Sequence, residues 1–139
     1  MPSLSRWMVR FALVYLLLGG TFGALILANK GASFEPRLWL LLPTHIETMF
    51  VGWMTQFAMG ISFWILPRFG GRNPRGDERL IWLAFWLINL GIGLVVLSQW
   101  LNKAQLALIG RSVEMVAWLS FIGGVWKRIY PFMVTRYRA

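Results

Sequence analysis

Residues 80–101 read LIWLAFWLINLGIGLVVLSQWL and contain no charged side chain. A helix needs about 20 residues to cross the hydrocarbon core of a bilayer, which is roughly 30 Å thick. A charge at the middle of a membrane helix costs roughly 2.5–3.5 kcal/mol even on the most permissive scale. The stretch is long enough and free of such charges, so it predicts a transmembrane helix.

Three further apolar segments have similar length. Hydrophobic residues make up 58% of the 139-residue chain, whereas a soluble domain has about 45–50%. The alternation that a membrane β-strand requires is absent from all four segments. The sequence therefore predicts an all-α, integral membrane four-helix bundle in a single domain over residues 1–139. Its helices are expected at about 7–28, 44–66, 80–101 and 104–126.

The connections between the segments refine this prediction. Only Asn102 and Lys103 separate the third segment from the fourth, which predicts an antiparallel helical hairpin. The first segment could be taken for a signal peptide, but its apolar core, residues 11–28, is longer than the usual 7–15 residues. We therefore expect it to remain as a helix.

The basic residues predict the orientation in the membrane. Ten of them lie in the N-terminus, the central loop and the C-terminus, and three lie on the other side, at Lys30, Arg37 and Lys103. Because cytoplasmic loops carry the excess of Lys and Arg, both termini are expected in the cytoplasm. Topology thus explains the net charge of +9, and no nucleic-acid partner is expected.

Helix two has one polar face and one apolar face on a helical wheel. The polar face comprises Thr44, His45, Thr48, Gly52, Thr55, Gln56, Met59 and Gly60, and the opposite face comprises Phe50, Val51, Phe57 and Ile61. One interpretation is a packing seam at Thr48, Gly52 and Gly60, since small and hydroxyl residues let helices approach closely. Gly19 and Gly23 of helix one have the same small-residue spacing. The other interpretation is the wall of a cofactor or quinone site, with Gln56 among its polar groups.

His45 is the only histidine. Neutral imidazole is a frequent axial ligand of haem iron, so His45 is the candidate residue for cofactor and metal binding. The alternative is an interfacial side chain. A single histidine cannot supply both axial ligands, so a haem b would also need a methionine, a histidine of a second subunit or an open sixth position. The candidate methionines are Met49, Met59 and Met115.

The start of helix two has two interpretations. Residues 43–47 fit a capping box, in which the Thr44 side chain binds the Glu47 amide and Glu47 reaches back. Alternatively, the helix begins near Arg37 and bends at Pro43. His45 would then lie about 12 Å along it, at 1.5 Å per residue.

Helix four contains Arg111 and Glu114, which the i,i+3 spacing places on one face. Counted from Ala104, they lie about 10 and 15 Å along the helix. Charged residues at such depth face other protein groups and mark functional sites by default. His45 and Glu47 enter from the same side. The four residues are expected to form one polar cluster, in which Arg111 suits a haem propionate or a quinone carbonyl. The alternative is a self-paired structural salt bridge.

Residues 42–53, LPTHIETMFVGW, followed by Gly60 and by WILPR at 64–68, resemble the second helix of subunit I in haem–copper oxidases. The likeness is strongest to the cbb3-type and nitric-oxide-reductase branch and its short relatives. Residues 10–20, 85–91 and 110–126 are similar to other helices of those relatives. The resemblance implies that His45 corresponds to a ligand of the low-spin haem. The oxygen-reducing centre of that family needs several further histidines, which this sequence lacks.

We therefore expect a truncated, non-catalytic relative: an accessory subunit of a respiratory or photosynthetic electron-transfer complex, such as alternative complex III or a terminal oxidase. Its partners would be other membrane subunits and the lipid of a prokaryotic plasma membrane, where it is multi-pass. No phosphate loop, carboxylate pair at catalytic spacing or nucleophile with a base is present, so no enzymatic activity of its own is expected. The alternatives are a small b-type haem or quinone-binding protein that uses His45, and a small transporter that uses Glu114.

Overall fold

The computed structural model describes residues 1–67, 75 and 78–129, and these residues form helices without any strand. Helix α1 is Ser3–Ala32, α3 is Arg79–Leu101 and α4 is Ala104–Ile129. Helix α2, residues 42–65, has three consecutive stretches: α-helical Leu42–Glu47, π-helical Thr48–Thr55 and α-helical Gln56–Ile65. The all-α fold and the four helices of the prediction are confirmed, with α1 longer than expected at both ends.

Three of the helices, α1, α3 and α4, are long and apolar enough to cross a membrane among the described residues. The chain is thus a multi-pass membrane protein. Helix α2 is divided into shorter stretches, and a 3₁₀ helix, Pro36–Leu41, leads into it. The buried core lies among all four helices and includes Met8 of α1, Phe63 of α2, Phe85 of α3 and Ala117 of α4.

The chain becomes helical before Pro43, as expected from the interpretation in which helix two starts near Arg37. Helical turns start at Pro36, and the Glu35 side chain accepts a 3.0 Å hydrogen bond from the Arg37 amide. The prediction of a capping box at residues 43–47 is wrong, because the side chains of Thr44 and Glu47 both bind residues of other helices. Thr44 Oγ1 donates to Gln99 Oε1 of α3 at 2.7 Å. Glu47 binds an arginine of α4.

The α3–α4 hairpin forms as predicted, and Asn102 ends α3 with a left-handed backbone (φ 51°). Asparagine tolerates that conformation better than most residues. The two helices then pack along their length. A Cβ at Gly110 would lie 3.0 Å from the Gly91 carbonyl oxygen and 2.7 Å from Val95 Cγ2. This seam exists because both helices present a glycine where their backbones meet.

The glycines of α1 and α2 lie against larger side chains of the facing helix. A Cβ at Gly19 would meet the Met49 and Thr48 side chains, and one at Gly52 would meet the Tyr15 ring at 2.5 Å. Gly60 lies against Met8. Val51, placed on the opposite face by the helical wheel, is buried. The π-helical stretch explains this, because i→i+5 bonding changes which residues share a face.

Arg128 joins the far end of α4 to the far end of α2. Its side chain is buried, and its guanidinium donates to the carbonyl oxygens of Phe63, Leu66 and Pro67 at 3.0, 2.6 and 3.0 Å. It also lies 4.8 Å from the Phe63 ring centroid. The last carbonyls of a helix lack partners within the helix and carry partial negative charge. Arg128 therefore caps α2, a role that the sequence analysis did not predict.

Two glycines of α4 provide a matched test of the seam. Gly110→Ala is expected to lower the free energy of unfolding by about 1–3 kcal/mol, because the new methyl group overpacks the α3 backbone. Gly123→Ala, on the same helix with nothing within 4 Å of the new Cβ, is expected to be neutral or stabilising by up to about 1 kcal/mol. Denaturation in detergent, followed by circular dichroism, measures both. Equal effects of the two substitutions would contradict the seam.

Candidate functional site

Three charged side chains meet between α2 and α4, and we call Glu47, Arg111 and Glu114 the charged triad. Arg111 Nη2 donates to Glu47 Oε2 at 2.5 Å, and Nη1 donates to Glu47 Oε1 at 3.2 Å. Nη1 also donates to Glu114 Oε2 at 2.8 Å. The planar guanidinium thus binds Glu47 with two nitrogens, the geometry that gives arginine–carboxylate pairs their strength.

The three members differ in exposure. Glu47 and Glu114 have relative accessibilities of 2% and 1%, whereas the Arg111 side chain is 53% exposed. Glu114 Oε1 is buried and has no hydrogen-bond partner within the described part of the chain. The Glu114 side chain is held against α3, since a Cβ at Gly91 would lie 2.5 Å from its Cγ. The carboxyl groups face the protein, and the arginine lies at the surface of α4.

The structure brings together three of the four residues expected in the polar cluster. His45 lies elsewhere: its Nδ1 is 2.8 Å from the Gly19 carbonyl oxygen of α1. A Cβ at Gly23 would lie 2.6 Å from His45 Cε1, so the absence of a side chain there leaves space for the imidazole. Residues i and i+2 of a helix point to different sides, which explains why His45 faces α1 while Glu47 faces α4.

Gln56 also lies apart from the triad. It is fully buried, and its Nε2 donates to the Met8 carbonyl oxygen of α1 at 3.3 Å. Its Oε1 has no partner among the residues that the structure describes. Gln56 is nine residues beyond Glu47 along α2, which separates it from the triad. Its bond to Met8 makes it part of the α1–α2 contact.

A cavity of about 380 Å³ lies between α1, α2 and α3. Its lining is mainly apolar, and the hydroxyl groups of Tyr15, Thr44 and Thr48 border it. Ligand sites have this character, with volumes of about 300–1,000 Å³. Tyr15 donates to Asn89 Oδ1 of α3 at 3.0 Å, so α1 and α3 are joined beside the cavity.

Comparison with known proteins identifies the family. The profile described as "Cytochrome C and Quinol oxidase polypeptide I" matches residues 3–138. The chain belongs to this family. Membership confirms the predicted relationship to haem–copper oxidase subunit I, and with it the membrane location and the relationship to electron transport.

Three bacterial relatives from the oxidase family are similar to this chain. The cbb3-type cytochrome c oxidase subunit CcoN1 of Stutzerimonas stutzeri is 27% identical over 50% of the chain. The cytochrome c oxidase subunit 1 homolog of Agrobacterium tumefaciens (strain T37) is 28% identical over 66%. Cytochrome c oxidase subunit 1 of Rhodobacter capsulatus is 27% identical over 54%. The matched segments span 15%, 17% and 14% of these relatives. No solved structure matches the chain.

His45 fits one requirement of the haem that this oxidase family implies. A ligating histidine commonly donates its other ring N–H to a carbonyl oxygen, which fixes the tautomer. The Gly19 carbonyl oxygen lies 2.8 Å from Nδ1 and would take that role, and Nε2 would then hold the iron of a bound haem.

No candidate methionine lies opposite His45. Met49 contacts Gly19 on the same side of α2, Met59 is in the core, and Met115 is exposed on α4. No group of three or more metal-ligating side chains occurs among the described residues. Unless the sixth position were open, a second axial ligand would therefore have to come from outside the described residues.

The triad can be tested by removing charges singly and together. Arg111→Met leaves the two buried carboxyl groups without their cation, and we expect a loss of about 3–5 kcal/mol in the free energy of unfolding. Replacing all three residues in Arg111→Met/Glu47→Gln/Glu114→Gln should restore most of it, because a neutral site has no unpaired charge.

Lys103→Met, at the exposed start of α4, serves as the control and should change stability by less than about 0.5 kcal/mol. Denaturation in detergent measures the series. A triple variant as unstable as Arg111→Met would show that the loss does not come from unpaired charge.

Proposed function

We propose that the chain is a non-catalytic, accessory membrane subunit of a respiratory or photosynthetic electron-transfer complex, such as alternative complex III or a terminal oxidase. The observation that carries the proposal is membership of the oxidase subunit I family in a sequence with one histidine. One histidine cannot supply the several ligands of an oxygen-reducing centre. A role in packing and stabilising a membrane arm agrees with both facts.

The surface of α4 supports a neighbouring subunit. Arg111 is half exposed about 10 Å along α4 from Ala104, and a guanidinium at that depth is more stable beside protein than beside lipid. Large apolar side chains surround it on the exposed face, including Leu108, Met115 and Leu119. We propose that this face of α4 contacts the partner.

The proposed topology has four membrane crossings with both termini in the cytoplasm of a prokaryote. The ten-to-three distribution of basic residues supports this orientation. Helix α2, residues 42–65, continues from the 3₁₀ helix at Pro36–Leu41, and together they are long enough to cross the hydrocarbon core. Such a topology places the triad in the outer half of the membrane.

Co-purification tests the accessory role. An affinity-tagged chain extracted from native membranes should bring with it electron-transfer subunits that mass spectrometry identifies. Leu119→Trp on the exposed face of α4 should reduce their recovery several-fold, because a packed subunit has no room for the larger ring. Leu17→Trp, equally apolar and exposed on α1, should leave the recovery unchanged. Purification as a lone homo-oligomer would contradict the proposal.

A b-type haem site at His45 is the second candidate, favoured by the contact between its Nδ1 and the Gly19 carbonyl. A bound haem would supply one-electron transfer, and His45 Nε2 would hold the iron. A reduced-minus-oxidised visible spectrum tests it. A Soret band that sharpens on reduction and disappears in His45→Ala would favour this function, and a particle without a Soret band would exclude it.

A further inference from the structure

The charged triad contains one more acidic group than basic groups. Arg111 binds Glu47 through both of its terminal nitrogens, so one carboxylate is already matched by the guanidinium. Glu114 shares only Nη1, through Oε2. With both carboxyl groups ionised, the site would carry a net charge of −1, although both carboxyl groups are almost completely buried. Burying an unmatched charge is costly, and such a group becomes neutral instead.

In the described part of the chain, no other cation on the helices packed around the site balances that charge. Between Arg79 and Leu101, α3 contains no charged residue, and it contacts Glu114 through Gly91. On α1, the titratable group that faces α2 is Tyr15, which lies against Gly52 and donates its hydroxyl group to Asn89 Oδ1 of α3. On α2, the neighbouring histidine faces α1 and binds the Gly19 carbonyl. The remaining charged groups at the site are Arg111 and Glu47.

Glu114 Oε1 is the atom suited to hold a proton. It is buried and has no hydrogen-bond partner in the described structure, whereas a carboxylate oxygen that remains ionised needs donors. Arg111 Nη1 donates to Glu47 Oε1 and to Glu114 Oε2, so the two carboxyl groups lie side by side on one guanidinium nitrogen. Two carboxyl groups that share one site do not both ionise readily, and one retains a proton.

We infer that the charged triad is a proton-binding site in which Glu114 carries the proton on Oε1 at neutral pH. Glu47 stays ionised and paired with Arg111. Loss of the proton to water changes the net charge of the site from zero to −1 and makes Glu114 compete with Glu47 for the guanidinium. Proton binding is thereby linked to the contact between α2 and α4.

Infrared spectroscopy of the full chain in lipid nanodiscs tests this inference. A protonated carboxyl group has a carbonyl stretching band that an ionised one lacks. The wild-type protein is expected to show the band at pH 7, and ¹³C labelling of glutamate should shift it. Glu114→Gln should abolish it. Glu47→Gln should abolish it as well, because Glu114 then becomes the one carboxyl group opposite Arg111 and ionises.

Glu35→Gln is the matched control, since it removes an exposed carboxylate that caps the 3₁₀ helix, and the band should remain. The measurement on the wild-type chain needs no variant to fold. A wild-type spectrum without a glutamic-acid band at pH 7 would overturn the inference. So would a band that persists at full strength in a folded Glu114→Gln protein.

Discussion

The bidentate pair between Arg111 and Glu47 is the interaction on which the placement of α4 depends. Helix α4 packs along α3, and its backbone makes little approach to α1 or α2 in the described structure. Two arginine side chains of α4 bridge the gap to α2. Arg111 binds Glu47 near one end of α2, and Arg128 binds the carbonyl oxygens of Phe63, Leu66 and Pro67 at the other end. Arg111 and Arg128 are 17 positions apart, or about 26 Å along α4. Two contacts at that spacing fix the height and rotation of α4 relative to α2.

The apolar surroundings explain why polar contacts hold the helices together. In lipid, a helix gains little from burying another apolar surface, so close backbone contact and polar pairing decide the arrangement. The seam at Gly91 and Gly110 provides the first, and the charged triad provides the second. The same reasoning accounts for the hydrogen bonds from Thr44 to Gln99 and from Tyr15 to Asn89, which join α2 and α1 to α3.

The sequence predicted what depends on local composition. Apolar length identified the helices, the two-residue link identified the hairpin, and i,i+3 spacing identified the Arg111–Glu114 pair. The failures involve long-range contacts. The capping box at Thr44 and Glu47 is a local pattern, and both side chains instead bind distant helices. Val51 is buried because a π-helical stretch replaces the regular helix that a wheel assumes. Nothing in the local sequence shows that Arg128, one of several basic residues near a predicted helix end, caps another helix.

Family membership and the charged triad together describe a membrane subunit in which polar groups hold the helices together and bind a proton. His45 is the residue at which a haem would bind. Solid-state NMR in bilayers tests the central contact most directly, with ¹⁵N-labelled arginine and ¹³Cδ-labelled glutamate. The account predicts a dipolar contact between the Arg111 guanidinium and Glu47 Cδ that is lost in Glu47→Gln. An Arg111 guanidinium in contact with Glu114 alone would contradict it, because α4 would then have no charged link to α2 at that end.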